Sequence, residues 1–243
     1  MTIRNAAAYA LSTGRQRLGL LQGINSAGWK PGHLRQIMGS ELPTAVIIDV
    51  GANRGAFVSV CRTAGARGPI FAFEPQPELA AQIAVAGGPS TQVRTECVGA
   101  FVGTTSLYRG SVGDAKASIV SATGVDSDLR LQVHQTTIDQ AVADEDLSAV
   151  GLLKVDAEGA DYRVLEGAAT SLRSGLVEAV ACEISWRSSA LGVYPGDVQD
   201  LLGEFGFRHF FLTTPYFGLL PVKGRIPNYE GGTANLVALR RRA

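Results

Sequence analysis

One stretch limits more than any other how this chain can fold. Ala45-Val-Ile-Ile-Asp-Val50, an apolar run broken by a single acid, passes without a spacer into Gly51-Ala-Asn-Arg-Gly55. A short apolar run of this kind is the pattern of a strand buried on both faces of a parallel sheet, and parallel strands need long crossovers, usually helices. Residues 55–64 supply one, with Phe57, Val60 and Cys61 at helical spacing. The beat then repeats: 70–74 reads as a strand, 77–86 as a helix and 93–98 as a third strand.

Residues 99–137 lose that rhythm. Patches such as Thr105-Ser-Leu-Tyr108 and Leu131-Gln-Val-His-Gln-Thr-Thr137 read as an antiparallel insertion or irregular loop. The alternation returns with a strand at 150–155, a helix at 161–172 burying Val164, Leu165, Ala168, Ala169 and Leu172, and a strand at 177–184. A helix at 195–205 and strands at 207–212 and 234–239 follow, the last two as an antiparallel hairpin at one sheet edge. The pattern predicts an α/β fold, a doubly wound and mostly parallel sheet with a C-terminal antiparallel hairpin. Residues 1–43 read as a helical prefix, a lid or cover for a domain spanning 44–243; its clearest helix opens at Pro31 and carries Leu34, Ile37 and Met38.

With 46% hydrophobic and 18% charged residues, the 243-residue chain can bury one full core. Its net charge is zero, so no broad positive field collects nucleic-acid phosphates or an anionic membrane surface, and neither is expected as a partner. Arg240, Arg241 and Arg242 read as a solubilising tail. Cys61, Cys97 and Cys182 lie in separate apolar segments, as buried thiols of a reducing compartment do. With neither a signal-like start nor an apolar run of membrane-spanning length, the expectation is a cytoplasmic protein without a membrane span. His33, His134 and His209 show no metal-ligand spacing.

Open α/β sheets bind ligands beyond the carboxyl ends of their strands, which is where residues 49–55 fall. Gly51 and Gly55 let the backbone approach a ligand closely. A dinucleotide fingerprint needs two further glycines where Asn53 and Ala56 stand, so a pyrophosphate loses its bed. Asp49 would repel a pyrophosphate but anchor, directly or through water, the cationic amino group of a methionine moiety. At the end of the second strand, in Phe71-Ala-Phe-Glu-Pro75, Glu74 can accept from both ribose hydroxyls.

A second cluster, Lys154-Val-Asp-Ala-Glu-Gly-Ala-Asp161, crosses from a buried strand into a helix, and Glu183 in Cys182-Glu-Ile-Ser185 ends the next strand in the same way. In a parallel sheet Asp156, Glu158 and Glu183 share one rim. An aliphatic hydroxyl is a poor nucleophile, and a carboxylate there can take its proton, or carboxylates can hold a divalent metal such as Mg²⁺ that acidifies it. Asp156 or Glu158 is the candidate base or metal ligand, with Glu183 beside them. The plainer reading is that Glu158 and Asp161 stabilise the start of the following helix through its dipole. Tyr194 and Tyr216 are candidates for an acceptor pocket.

Asp49-Val-Gly-Ala-Asn-Arg-Gly-Ala-Phe57, Phe73-Glu-Pro75, Leu153-Lys-Val-Asp-Ala-Glu-Gly-Ala-Asp161, Val164-Leu-Glu-Gly167 and Cys182-Glu183 together resemble the FkbM family of methyltransferases over roughly residues 45–212. The resemblance implies a Rossmann-like class I methyltransferase fold, S-adenosyl-L-methionine as donor, and O-methylation of a small-molecule, sugar or glycan acceptor. Carried over, Asp49, Gly51, Asn53 and Gly55 meet the methionine part, Glu74 the ribose, and Val98 and Gly99 the adenine, with Ala52, Phe57 and Pro75 completing the donor set. The alternatives are a nicotinamide-dependent oxidoreductase and a non-catalytic methyltransferase-like binding module.

Overall fold

The computed structural model describes residues 28–120, 129–214, 218–227 and 233–241. The first half of the sheet is built from β1 (Ile47–Val50), β2 (Ile70–Phe73) and β3 (Thr91–Arg94), with α2 (Ala56–Ala64) and α3 (Pro77–Ala86) as crossovers. β7 (Leu152–Val155) and β8 (Ala179–Ser185) form the second half, separated by α5 (Asp161–Glu166) and α6 (Ala169–Arg173). α7 (Pro195–Glu204) leads into β9 (His209–Thr214), β10 (Gly218–Pro221) and β11 (Thr233–Leu239). The order across the sheet is β10-β9-β11-β8-β7-β1-β2-β3. β1, β2, β3, β7 and β8 run parallel, whereas β11 is antiparallel to both of its neighbours, β8 and β9.

β1 and β7 are adjacent but far apart in sequence, so chain direction across the sheet switches between them and leaves a crevice at their carboxyl ends. Strand alternation sends Ile48, Val50, Leu153 and Val155 into one core layer, and Ile47 and Leu152 into the other. The described part of the prefix, α1 (Pro31–Met38), packs on the second layer through Leu34, Ile37 and Met38. Buried His33 ties it down, accepting from Lys30 N–H at 3.2 Å and bonding the Thr214 carbonyl at 3.0 Å.

Several expectations need correction. The third strand, expected at 93–98, splits at the polar pair Thr95-Glu96; β3 stays in the main sheet and β4 (Cys97–Val98) joins a three-stranded sheet with β5 (Gly103–Arg109) and β6 (Leu129–Thr136). The antiparallel insertion is therefore the β5/β6 pair. The helix expected at 161–172 breaks at Gly167, where any side chain would strike the Gly99 carbonyl. A helix the sequence reading passed over, α4 (Ile138–Asp144), is capped by Thr137, whose side chain accepts from Gln140 N–H at 3.0 Å. The closing antiparallel element includes β10, and β11 lies inside the sheet rather than at its edge. Arg240 is no tail: its guanidinium donates to the carbonyls of Val177, Phe205 and Leu172 and lies over Phe207. Arg242 lies outside the described residues. Among the described residues no helix is long and apolar enough to cross a membrane.

Candidate functional site

The crevice opens into a cavity of about 570 Å³ bounded by the β1, β2 and β7 ends, the strand β4, and the connection that follows β5. Three left-handed residues shape the turn after β1: Gly51 at φ +71°, Asn53 at +51° and Gly55 at +79°. Gly51 is obligatory here, since a Cβ on it would run into the Asp156 carbonyl oxygen. The turn is hung from β2, with Gly51 N–H and Ala52 N–H both donating to the Phe73 carbonyl at 3.0 Å. Glu74 locks it further, its carboxylate accepting from Asn53 N–H at 2.9 Å and Gln76 N–H at 3.0 Å. Burial pushes the Glu74 carboxyl up, and those N–H groups oppose the shift.

Gly51, Ala52, Asn53, Phe57, Glu74, Pro75 and Val98 of the expected donor set line the cavity. Asp49, Gly55 and Gly99 do not. Asp49 is fully buried on the α2 side, with Oδ1 3.0 Å from Lys154 Nζ, so it is Lys154 that borders the cavity. The ammonium also donates to the carbonyls of Val50 and Gly51, at 3.3 and 3.1 Å, while Asp49 Oδ2 has no hydrogen-bond partner among the described residues. Burial works against the Lys154 ammonium, but Asp49 and Asp156 outweigh it and hold it above the ordinary lysine range. Burial also pushes the Asp49 carboxyl up, with Lys154 opposing. Gly55 instead starts α2 as its left-handed cap, and Gly99 lies against the Gln135 amide.

At the β7 end Asp156 and Glu158 line the cavity, whereas Glu183 is not part of its lining. Asp156 Oδ2 lies 3.5 Å from Lys154 Nζ. Glu158, at φ +51°, is paired to Arg187 at 2.8 Å; burial pushes its carboxyl up to about 7, with Arg187 opposing and Asp156 and Asp161 adding. Asp161 knots the loop, accepting from Ala157 N–H at 2.7 Å and Gly159 N–H at 3.1 Å. Burial and three neighbouring acids push Glu183 up to about 9. Asp156 is turned to Lys154 and Glu158 to Arg187, and among the described residues no group of three His, Cys, Asp or Glu side chains could hold the divalent metal weighed as a possibility. Tyr194 opens α7 away from the lining, and Tyr216 lies outside the described residues.

Sequence reasoning missed Trp29, Gln76, Glu96 and the loop at 114–119, all of which border the cavity. Two lining side chains carry a buried acceptor with neither a hydrogen bond nor an ion pair among the described residues, Asn53 Oδ1 and Gln76 Oε1, while Glu96, also at the lining, has Oε2 3.6 Å from the Arg94 guanidinium. Unpaired buried acceptors are costly, so the matching ligand is rich in donors. An aminoacyl nucleoside, with its ammonium, ribose hydroxyls and exocyclic amine, fits that requirement, and Asn53, Glu74, Gln76 and Glu96 would hold it.

A mostly parallel sheet of this order, with one reversed strand slotted beside β8, is the fold of the class I methyltransferases. A family model described as the methyltransferase FkbM domain matches residues 49–209, and the chain belongs to that family. The hexuronic acid methyltransferase AglP of Haloferax volcanii is 29% identical over 164 residues, 65% of this chain; the match spans 62% of that relative's length. Among solved structures, a TehB-like SAM-dependent methyltransferase from Corynebacterium glutamicum aligns at TM-score 0.44 and 12% identity, covering 86% of this chain and 88% of that one. A magnesium protoporphyrin IX methyltransferase from Synechocystis with bound SAH aligns at 0.42 and 12%, covering 98% of each.

Proposed function

We propose that this protein transfers a methyl group from S-adenosylmethionine to a hydroxyl oxygen of a sugar or other small-molecule acceptor. The observation that carries the reading is that two buried acceptors without a partner among the described residues, Asn53 Oδ1 and Gln76 Oε1, flank Glu74 in one cavity at the sheet's switch point. When bound there, S-adenosylmethionine supplies a methyl group made electrophilic by its sulfonium. Glu74 accepts from the ribose hydroxyls while its hold on Asn53 N–H and Gln76 N–H keeps the turn closed. Asp156 takes the acceptor's hydroxyl proton: its side chain is 34% exposed, against 4% for its partner Lys154, so it can meet an incoming hydroxyl without leaving the ammonium. Glu158, held by Arg187, orients the acceptor. The naming of AglP as a hexuronic acid methyltransferase supports a sugar-type acceptor.

The test is methyl transfer from isotope-labelled S-adenosylmethionine into a panel of glycosides and into extracts of cells lacking the protein. Label in an acid-stable product one methyl heavier than its precursor supports the reading. Donor binding without transfer to any acceptor would favour the non-catalytic alternative.

A further inference from the structure

Gln76 is 2% exposed and borders the cavity, yet its amide is only half satisfied. Nε2 donates to the Asp114 carbonyl at 2.9 Å, and Oε1 has no partner among the described residues. Asp114 organises the loop it belongs to, its carboxylate accepting from Gly110 N–H and Lys116 N–H, each at 2.9 Å. Four residues on, Ser118 is buried and donates through Oγ to the Glu158 carbonyl at 2.9 Å. Asp114, Ala117, Ser118 and Ile119 all line the cavity. A continuous path thus runs from the end of β2 through Gln76 and this loop to the backbone of Glu158.

A glutamine amide offers two donors at one end and an acceptor at the other, and turning it end for end exchanges them. With no donor to Oε1 among the described residues, the orientation is set by what Nε2 meets, the Asp114 carbonyl and the neighbouring Glu74 carboxylate. A hydroxyl donor in the cavity would satisfy Oε1 and select the orientation in which Nε2 grips Asp114. We propose that Gln76 binds the donor's nucleoside hydroxyl and thereby fixes the loop at 110–120, so that donor binding orders the acceptor side around Glu158 and precedes acceptor binding. Coupling of this kind needs no large movement: a ligand that orders a segment lowers the ordering cost left for the next ligand, and the effect is reciprocal. The inference rests on S-adenosylmethionine being the donor.

Hydrogen–deuterium exchange of the full chain, with and without S-adenosylhomocysteine, tests it. Exchange in peptides covering 110–120 and 156–160 is expected to slow on ligand addition in the unmodified protein. In Gln76→Met, close in size but without an amide, affinity is expected to fall about fivefold for one lost hydrogen bond. At saturating ligand that variant should keep the unmodified exchange of β1 and β7, which reports an intact fold, yet show no slowing at 110–120. Slowing at 110–120 equal to that of the unmodified protein in Gln76→Met, or no slowing there in the unmodified protein with ligand bound, overturns the coupling. Failure of S-adenosylhomocysteine to bind the unmodified protein at all overturns the functional reading and the coupling with it.

Discussion

Lys154 and Asp49 are register neighbours on the adjoining parallel strands β7 and β1, and their charges meet at 3.0 Å with side-chain exposures of only 4% and 0%. The same ammonium reaches Asp156 at 3.5 Å, so one buried cation joins the acid behind the glycine turn to an acid that lines the cavity. The charge presented to the cavity at this point is therefore that of Lys154, with Asp49 behind it. A buried pair of this kind is costly to break from one side only.

Lys154→Met should destabilise the fold by about 3–5 kcal/mol, because it strands the Asp49 carboxylate without a countercharge. Adding Asp49→Leu should restore most of that loss. Urea unfolding of the single and double variants measures both, and a double variant no more stable than the single one would show that the pair is not the source.

Glu74→Ala is expected to weaken donor binding by roughly 2 kcal/mol or more, since charge-assisted hydrogen bonds to the ribose are lost. The turn should loosen as well, because Asn53 N–H and Gln76 N–H lose their acceptor. Calorimetric titration with S-adenosylhomocysteine reads the first effect. Unchanged affinity would place the ribose elsewhere.

Asp156→Asn should bind donor nearly as the unmodified protein does while turnover falls about 10²–10⁴-fold, the usual worth of a positioned proton acceptor. Single-turnover methyl transfer at saturating donor makes the comparison. Retained turnover would remove Asp156 from the chemistry.

Glu183 gives a pH signature. Its folded-state carboxyl is pushed up to about 9, first by burial and then by Asp156, Asp161 and Glu158. Between the ordinary carboxyl range and that value the folded form holds a proton the unfolded chain has released, so stability falls as pH rises through this window. Glu183→Gln removes the dependence, and its melting temperature should gain on the unmodified protein from about pH 5 to about pH 9. A relative gain of at least about 1 kcal/mol corresponds to roughly 2–4 °C for a chain of this size. A difference between the two proteins that stays constant with pH would mean the carboxyl is ionised throughout.

Much of this was legible in the sequence because buried parallel strands are written as short apolar runs. β1, β2, β7 and β8 each stood within a few residues of their expected bounds, and Gly51 and Glu74 fell at strand ends where ligands bind. What was not legible depended on register and long-range contact. Nothing local to Asp49 says that Lys154 lies beside it, 105 residues later in the chain but adjacent across the ladder. A lone lysine amid Leu152, Leu153 and Val155 was the one available signal, since a charge in a fully buried strand needs a partner. Gln76 and the loop at 114–119 carry no motif, and the loop's place at the cavity depends on a contact distant in sequence, the Gln76 Nε2 bond to the Asp114 carbonyl. Gly167 broke an expected helix for a reason lying at Gly99, on another element.

A crystal structure of the protein soaked with S-adenosylhomocysteine addresses the donor site most directly. The ribose hydroxyls are expected within hydrogen-bonding distance of Glu74, with the thioether directed toward Asp156 and the adenine amine toward Glu96. A nucleoside bound away from the β1 and β2 ends, or a cavity left empty at millimolar ligand, would contradict the assignment.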